Sequence, residues 1–296
     1  MITVPTVLVL GAGASAPYGF PSGSGLRDGV IGMLNSPESS SFRQLRQMDF
    51  YSNLLADFGK ALAFSGMSSV DAFLEHRREF IEVGKVAIAQ ALIPLEIESN
   101  LFNARRKWYQ YVFERMSTTF DEFQDNKISI LTFNYDRSLE HFLVTAIKHK
   151  FGKSESESAL KLNNLKIIHL HGQLGLLPWQ GGDGRPYEPA ADDVFVKNAA
   201  EQIKIVSEDM SGAPQFDVAH EILGSAAKVI FLGFGYNPTN LKRLLPDELT
   251  KCEFFGSRFE ITDMEALPIR GRMRSIALGQ QGEDVLDFLR YRVYLG

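Results

Sequence analysis

The segment TVLVLGAGAS, residues 6–15, gives the clearest indication of the fold of this chain. Its first half, Thr6–Leu10, is a short apolar run with β-branched residues, which is typical of a buried parallel strand. Gly11 closes the run, and the residues from Gly11 to Ala16 have the G-x-G-x-x-A spacing of a dinucleotide-binding turn. Glycines at these positions allow backbone amides to approach a phosphate closely. A glycine turn without a ligand would have the same pattern.

Three further segments have the character of this first strand. They are the apolar runs Ile128–Thr132, Ile167–Leu170 and Val229–Leu232. Phe259–Thr262 and Ser275–Leu278 are weaker strand candidates. Helical patterns follow at least the second and fourth strands, and this alternation predicts an α/β fold with a doubly wound, mostly parallel sheet. Ligands bind such sheets at the carboxyl ends of the strands.

The long segment between the first two strands has no convincing strand pattern. Ser68–Asp71 resembles a helix cap, and apolar residues recur after it at helical spacing. We therefore predict an all-helical insertion over residues 38–125. The sheet domain would then comprise residues 1–37 and 126–296.

Two polar segments are predicted to be loops. Residues 153–158, KSESES, have the composition of a solvated connector. Pro178–Asp193 is rich in Gly, Pro and Asp, which disfavours regular structure. Loops of this length in compact domains are often lids or binding loops, and an exposed connector is the alternative.

Composition excludes several classes of protein. The 31 Lys and Arg against 36 Asp and Glu give a net charge of −5, which argues against direct binding to a nucleic-acid backbone. A single cysteine, Cys252, allows neither an internal disulfide nor a multi-cysteine zinc site. No apolar run approaches the roughly 18 residues that span a bilayer, and the N-terminal run resembles a strand more than a secretory signal. We expect a soluble, cytoplasmic protein with no membrane contact.

Short polar side chains stand at the end of the second strand, in the sequence TFNYD. Strand alternation places Thr132, Asn134 and Asp136 on one side as the chain leaves the sheet. Such a group suits recognition of a sugar and a carboxamide. Turn formation and helix capping are an equally common use of Asn and Asp at this place.

The third strand ends in His169-Leu-His171-Gly172. His171 is the candidate general base, because it stands beside a flexible glycine and has a pKa near neutrality. We interpret His169 as structural. Two histidines two residues apart could also suggest a metal, but no third ligand has the required spacing.

A second glycine turn, Gly233-Phe-Gly235, closes the fourth strand and opens a helix. It could face another phosphate or a ribose. Asp263 lies near a later strand candidate, where it could bind ribose hydroxyls or simply be a solvated turn residue.

A hydride-transferring Rossmann enzyme is disfavoured, because the 20 or so residues after the first turn form no strand ending in an acid.

Taken in order, GAGAS, TFNYD, LHG and GFG resemble the motif series of the sirtuins. The resemblance covers about two thirds of the chain, and GFP at residues 19–21 resembles the Gly-Ile-Pro of that family. The chain departs from sirtuin deacylases at residues 22–24, which are Ser-Gly-Ser instead of Asp-Phe-Arg, and it lacks the four zinc cysteines. These features are closer to the sirtuin-like domains of bacterial anti-phage defence, which hydrolyse NAD.

The resemblance implies a Rossmann-like, zinc-free fold and an NAD glycohydrolase (NADase) that takes NAD as its substrate without a metal. It implies Asn134 and His171 as the catalytic pair. The residues expected to bind NAD are Gly11, Ala12, Gly13, Ser15, Thr132, Asp136, Gly233, Gly235 and Asp263. Asp136 would contact the nicotinamide carboxamide, and the glycine turns would contact the phosphates.

Two other functions remain open at this level. The chain could be a non-catalytic sensor of NAD or ADP-ribose, although both catalytic residues are present. It could also be an NAD-dependent protein deacylase, although the departures above weigh against this. Relatives of the defence type often act with a second protein, such as an Argonaute-like protein or a helicase, or by self-association, so either kind of partner is expected.

Overall fold

A computed structural model describes residues 1–205, 213–245, 252–273 and 275–295. The strands are β1 (Thr6–Leu10), β2 (Ile128–Thr132), β3 (Ile167–His169), β4 (Lys228–Leu232), β5 (Glu253–Gly256) and β6 (Ala277–Leu278). They form one parallel sheet in the order β3-β2-β1-β4-β5-β6. The chain moves outward from β1 in one direction and then from β4 in the other. The predicted doubly wound, Rossmann-like α/β fold is therefore confirmed.

Helices pack on the sheet between and after the strands. They are α1 (Ala12–Ser15), α2 (Gly23–Leu34), α3 (Ser40–Gln47), α4 (Ser52–Phe64), α5 (Val70–His76), α6 (Ile81–Leu92), α7 (Glu98–Asn103), α8 (Trp108–Arg115), α9 (Ser138–Phe151), α10 (Glu155–Leu162), α11 (Asp193–Gln202), α12 (Pro214–Gly224), α13 (Pro238–Leu244), α14 (Asp263–Arg272) and α15 (Val285–Arg292). None of those in the described ranges is long and apolar enough to cross a membrane.

Strand β1 is buried along its whole length, as its uninterrupted apolar sequence predicts. Successive side chains point to opposite faces of the sheet. Leu8 and Leu10 accordingly pack into one hydrophobic cluster, whereas Val7 and Val9 pack into another. Both faces of the sheet are thus covered, and the edge at the carboxyl ends of the strands is left for a site.

The segment predicted as an insertion is helical. Residues 38–125 contain α3–α8 and short 3₁₀ turns, and this fully described segment has no strand. Phe58 and Phe73 from its helices share one hydrophobic cluster with Leu8 and Ile130 of the sheet. The insertion therefore covers one face of the sheet and continues its core.

The prediction of a strand at Phe259–Thr262 is wrong, because the strand lies earlier, at Glu253–Gly256. Thr262 caps α14: its hydroxyl accepts a hydrogen bond from the Glu265 amide at 3.3 Å. The misread segment is thus the entry to a helix. The candidate at Ser275–Leu278 is confirmed at its end, where Ala277–Leu278 pairs with β5.

The prediction of a connector at residues 153–158 is also wrong, because α10 begins there. The Ser154 hydroxyl accepts from the Glu157 amide at 3.2 Å, and the Glu157 carboxylate accepts from the Ser154 amide at 2.9 Å. Ser and Glu at this spacing stabilise a helix start, although their polarity also suits a loop. The loop predicted over Pro178–Asp193 is largely confirmed, since only the 3₁₀ turn Pro178–Gln180 precedes α11.

Candidate functional site

The two glycine turns pack directly against each other at the ends of β1 and β4. The Gly13 amide donates to the Gly233 carbonyl at 3.0 Å, and the Gly11 amide donates to the Leu232 carbonyl at 3.0 Å. A Cβ atom on Gly11 would lie 2.6 Å from the Gly233 oxygen. Gly233 has a φ of +55°, and a Cβ atom there would overlap Ala14. These glycines are required by close backbone packing, and the amides of Gly11, Gly13, Ala14 and Gly233 are all used within the protein.

Asn134 connects the end of β2 to the first glycine turn. Its side-chain amide donates to the Gly11 carbonyl and to the Ser15 hydroxyl, each at 3.0 Å. The Asn134 backbone amide donates to the Thr132 hydroxyl at 3.0 Å. The sequence motifs GAGAS and TFNYD therefore meet at one point. Asn134 is buried there, with 8% of its surface exposed.

Asp136, two residues after Asn134, is also buried. Its carboxylate accepts from the amide of Ser138 at 3.2 Å and from the hydroxyl of Ser138. The Tyr109 hydroxyl is 2.7 Å from the same Ser138 hydroxyl. Burial raises the pKa of Asp136, although the bonds from Ser138 and Ser15 oppose this effect. A carboxyl in this state could pair with a ligand amide.

His169 has hydrogen bonds at both ring nitrogens. Nδ1 donates to the Asn134 carbonyl at 2.8 Å, and Nε2 donates to the Glu140 carboxylate at 2.5 Å. Burial alone would lower the pKa of His169, but the Glu140 carboxylate, the Asn134 carbonyl and the charge of Asp136 together raise it. His169 thus orients the backbone that carries Asn134, and neither nitrogen is free to contact a substrate.

The pKa of His171 is shifted in the opposite direction from that of His169. Burial and the charge of Arg243 lower the pKa of His171 to about 4, so its ring is neutral at pH 7. Nε2 has no hydrogen-bond partner among the described residues. The rings of His171 and Phe133 are nearly perpendicular with a centroid separation of 5.2 Å, and the His171 carbonyl accepts from the backbone amide of Lys204. The side chain is therefore fixed in place with an unused nitrogen.

The remaining predicted residues lie at the margins of this cluster. Ala12 is half-buried beside Gly11, whereas Gly235 is exposed, with no atom within 4 Å of the Cβ position. Asp263 is the first residue of α14, and its exposed carboxylate pairs with Arg258 at 2.8 Å. Asp263 is thus paired at the surface and has no contact with Asn134 or the first turn among the described hydrogen bonds and ion pairs.

Sequence reasoning missed Ser257, which follows β5. Its hydroxyl accepts from the Gly233 amide at 2.9 Å and so fixes the second glycine turn. The only sequence feature that could have indicated a strand end at Ser257 is the short apolar run Phe254-Phe255-Gly256 before it.

A buried ion network behind the site was also missed. Arg137 donates to Glu96 through Nε at 2.8 Å and through Nη2 at 2.6 Å. Arg185 donates to the same carboxylate, and both guanidinium groups also bond carbonyls of residues 176–188. The side chains of Glu96 and Arg137 are at most 1% exposed. This network anchors the loop after His171 to the insertion and to the residue that follows Asp136.

Two residues of α5 bring the insertion to the edge of the site. Asp71 accepts a hydrogen bond from the Tyr135 hydroxyl. One turn later, Glu75 pairs with Arg243 of α13 through two hydrogen bonds of 2.9 Å each. The site is therefore bounded by the sheet edge, by α13 and by a helix that sequence patterns assigned only to packing.

No group of three or more His, Cys, Asp or Glu in the described ranges is arranged to hold a metal ion. No family model matches the chain, and no curated protein matches it.

Proposed function

We propose that this protein is an NAD glycohydrolase, which cleaves the nicotinamide–ribose bond to give nicotinamide and ADP-ribose. The observation that carries the proposal is the contact of Asn134 with Gly11 and Ser15, beside a strand end that bears the unpaired nitrogen of His171. The strand order supports the same location, since the chain continues from β1 to β2 on one side of the β1–β4 pair and from β4 to β5 on the other side. Dinucleotides bind doubly wound sheets at such a switch point.

Cleavage of this bond requires the protein to orient the substrate and to supply a general base. Cleavage of the glycosidic bond builds positive charge on the ribose, and nicotinamide leaves as a neutral molecule. Asn134 would orient the ribose or the attacking water. His171, neutral at pH 7, would accept a proton from the water or from a ribose hydroxyl. Asp136 would bind the carboxamide, and the residues of the glycine turns would contact the phosphates.

A non-catalytic sensor of NAD or ADP-ribose is the second candidate. Two observations favour it. Burial and Arg243 make His171 a weak base, with a pKa of about 4. Thr132, Asn134 and Asp136 are also buried, so a ligand must part the surrounding contacts to reach them. Both functions use the same nucleotide site.

Incubation of the pure chain with NAD, followed by chromatography of the products, separates these functions. Release of nicotinamide and ADP-ribose supports the hydrolase. Tight binding without turnover at every protein concentration favours the sensor, and deacylation of an added acyl-peptide would identify a deacylase. Failure to bind either NAD or ADP-ribose would refute the proposed site.

The biological role that fits this activity is NAD depletion in anti-phage defence. The proposal includes activation by a second defence protein or by self-association. Comparing NAD turnover of the isolated chain across a wide concentration range tests the second possibility. Turnover per molecule that rises with concentration supports self-association.

A further inference from the structure

Arg243 is a buried cation that the functions considered so far do not use. Its side chain is 3% exposed, and its two terminal nitrogens donate to the Glu75 carboxylate, whose side chain is 12% exposed. The third donor, Nε, finds no partner in the described part of the chain. A guanidinium offers two parallel donors that match either a carboxylate or a phosphate.

Helix α12 fixes Arg243 next to the strand end that carries His171. His220 of α12 donates to the Arg243 carbonyl at 2.8 Å, and Gln215 of the same helix donates to the Leu170 carbonyl at 2.9 Å. Phe133 contacts the rings of His171 and of Phe234, and Phe234 belongs to the turn that leads into α13. Two buried side chains with unpaired nitrogens, Arg243 and His171, therefore belong to the same corner of the site.

The carboxylate that pairs with the Arg243 guanidinium belongs to Glu75 of the insertion. Glu75 and Asp71 are four residues apart on α5 and so lie on one face of the helix. Asp71 bonds the hydroxyl of Tyr135, the residue after Asn134. Helix α5 thus contacts both the β2 end and α13, and its Glu75 sits where an anionic group of a ligand would meet the guanidinium.

We propose that Arg243 is a phosphate-binding residue of the nucleotide site, and that Glu75 occupies its guanidinium until a substrate phosphate replaces it. The assignment to a dinucleotide rests on the proposed function. Among the described residues, Arg243 and His171 both have an unpaired nitrogen at this corner of the site, and a phosphate carries enough acceptor oxygens to bond Arg243. Displacement moves Glu75, and with it α5, away from the strand ends.

Calorimetry on the full chain tests this assignment with three probes: ADP-ribose, inorganic pyrophosphate and adenosine. Glu75→Gln should tighten ADP-ribose and pyrophosphate about tenfold, because a competing charge is removed. Arg243→Gln should weaken both about tenfold or more. Adenosine, which has no phosphate, should bind all variants alike. The exposed residues Glu79 and Arg78 supply matched controls, Glu79→Gln and Arg78→Gln, which should bind like the wild type.

Removing one partner of a buried pair can prevent folding. If Glu75→Gln does not fold, the double variant Glu75→Gln/Arg243→Gln removes both charges, and Arg243→Lys keeps the charge without the paired donors. Both should bind ADP-ribose and pyrophosphate more weakly than the wild type. Wild-type affinity for the two anions in Arg243→Gln, Arg243→Lys and the double variant would overturn the proposal.

The pyrophosphate measurement separates this proposal from the proposed enzyme activity. Arg243-dependent binding of pyrophosphate in a chain that cleaves no NAD supports the anion site and refutes only a hydrolase that acts as an isolated chain. NAD cleavage at wild-type rate and KM in Arg243→Lys, without Arg243-dependent pyrophosphate binding, refutes the anion site and leaves the hydrolase in place.

Discussion

The side-chain amide of Asn134 donates to the hydroxyl of Ser15 at 3.0 Å and so joins two motifs 119 residues apart in the chain. The contact exists because β1 and β2 are parallel neighbours in register from Thr6 and Ile128 to Leu10 and Thr132. Both strands therefore end at the same level, where their polar residues meet. A substrate bound where the first glycine turn meets the end of β2 would have to share or replace this hydrogen bond.

Asn134→Ala should reduce NAD cleavage by about 10²–10⁴-fold, the range for a positioned catalytic group. It should also lower the free energy of unfolding by about 1–3 kcal/mol, because the Gly11 carbonyl loses a buried donor. Turnover assays and denaturant melts measure the two effects. The exposed Asn164 provides a control, Asn164→Ala, which should change neither. Full activity of Asn134→Ala would remove Asn134 from the mechanism.

His171→Ala and His169→Ala should differ in kind. His171→Ala should abolish NAD cleavage and leave a folded protein, since its Nε2 bonds none of the described residues. His169→Ala should cost about 3–5 kcal/mol of stability, because Glu140 becomes a buried carboxylate without its partner. Melting temperature and turnover should be measured together. Loss of turnover in His169→Ala at an unchanged melting temperature, with His171→Ala active, would reverse the assignment.

His171 should make the folded protein sensitive to acid. Its pKa is about 6.5 in an unfolded chain and about 4 when folded, so its contribution is fully present above pH 6.5 and is lost as the pH falls toward 4. The loss amounts to about 3 kcal/mol. The raised pKa values of His169 and of Asp71, the latter to about 6, act in the opposite direction.

The contribution of His171 therefore has to be isolated by comparison. Denaturant melts of the wild type and of His171→Ala at pH 7 and pH 4.5 should show a smaller loss of stability on acidification in the variant. His149→Ala, at an exposed histidine, should behave like the wild type. An equal loss in all three proteins would contradict the depressed pKa of His171.

Gly233→Ala should destabilise the protein far more than Gly235→Ala. Gly233 combines a φ of +55° with a Cβ position that overlaps Ala14, so an alanine must displace the turn at Gly11. The Cβ position of Gly235 has no atom within 4 Å. Denaturant melts of the two variants should differ by more than about 2 kcal/mol. Equal stabilities would show that the two turns are not tightly packed against each other.

Sequence patterns could predict the sheet and the strand-end residues because both follow from local rules. Uninterrupted apolar runs identified β1, β2 and β4, and parallel strands must bring Gly11, Asn134 and Gly233 to one edge. The β5 strand was misplaced because it has only four residues and is followed by Phe259, whose apolar side chain is exposed. Helix α10 was missed because capping residues are also loop residues.

The ion pairs around the site could not be predicted in this way. Glu75 and Arg243 are 168 residues apart, and Glu96 and Arg137 are 41 residues apart. Charged residues are usually exposed, and no local period identifies the pair that will be buried together. Only the packing of the insertion against the sheet places these charges opposite each other. The same packing determines how His171 titrates, which sequence alone could not indicate.

Glu96→Gln should be among the most damaging single changes outside the predicted catalytic pair. It leaves Arg137 and Arg185 as two buried cations without a counter-charge, which should cost about 3–5 kcal/mol. Glu98→Gln is the matched control, because Glu98 is exposed and pairs only with His141 among the described residues, so its loss should cost less than about 1 kcal/mol.

The two variants should also differ in the loop that follows His171. Both guanidinium groups hold carbonyls of residues 176–188, so Glu96→Gln should speed hydrogen exchange at those amides under conditions where the protein remains folded. Glu98→Gln should leave that exchange unchanged. If the loop is a lid over the nucleotide, ADP-ribose should slow the same amides in the wild type and less so in Glu96→Gln. Equal exchange in both variants would show that the ion network does not anchor the loop.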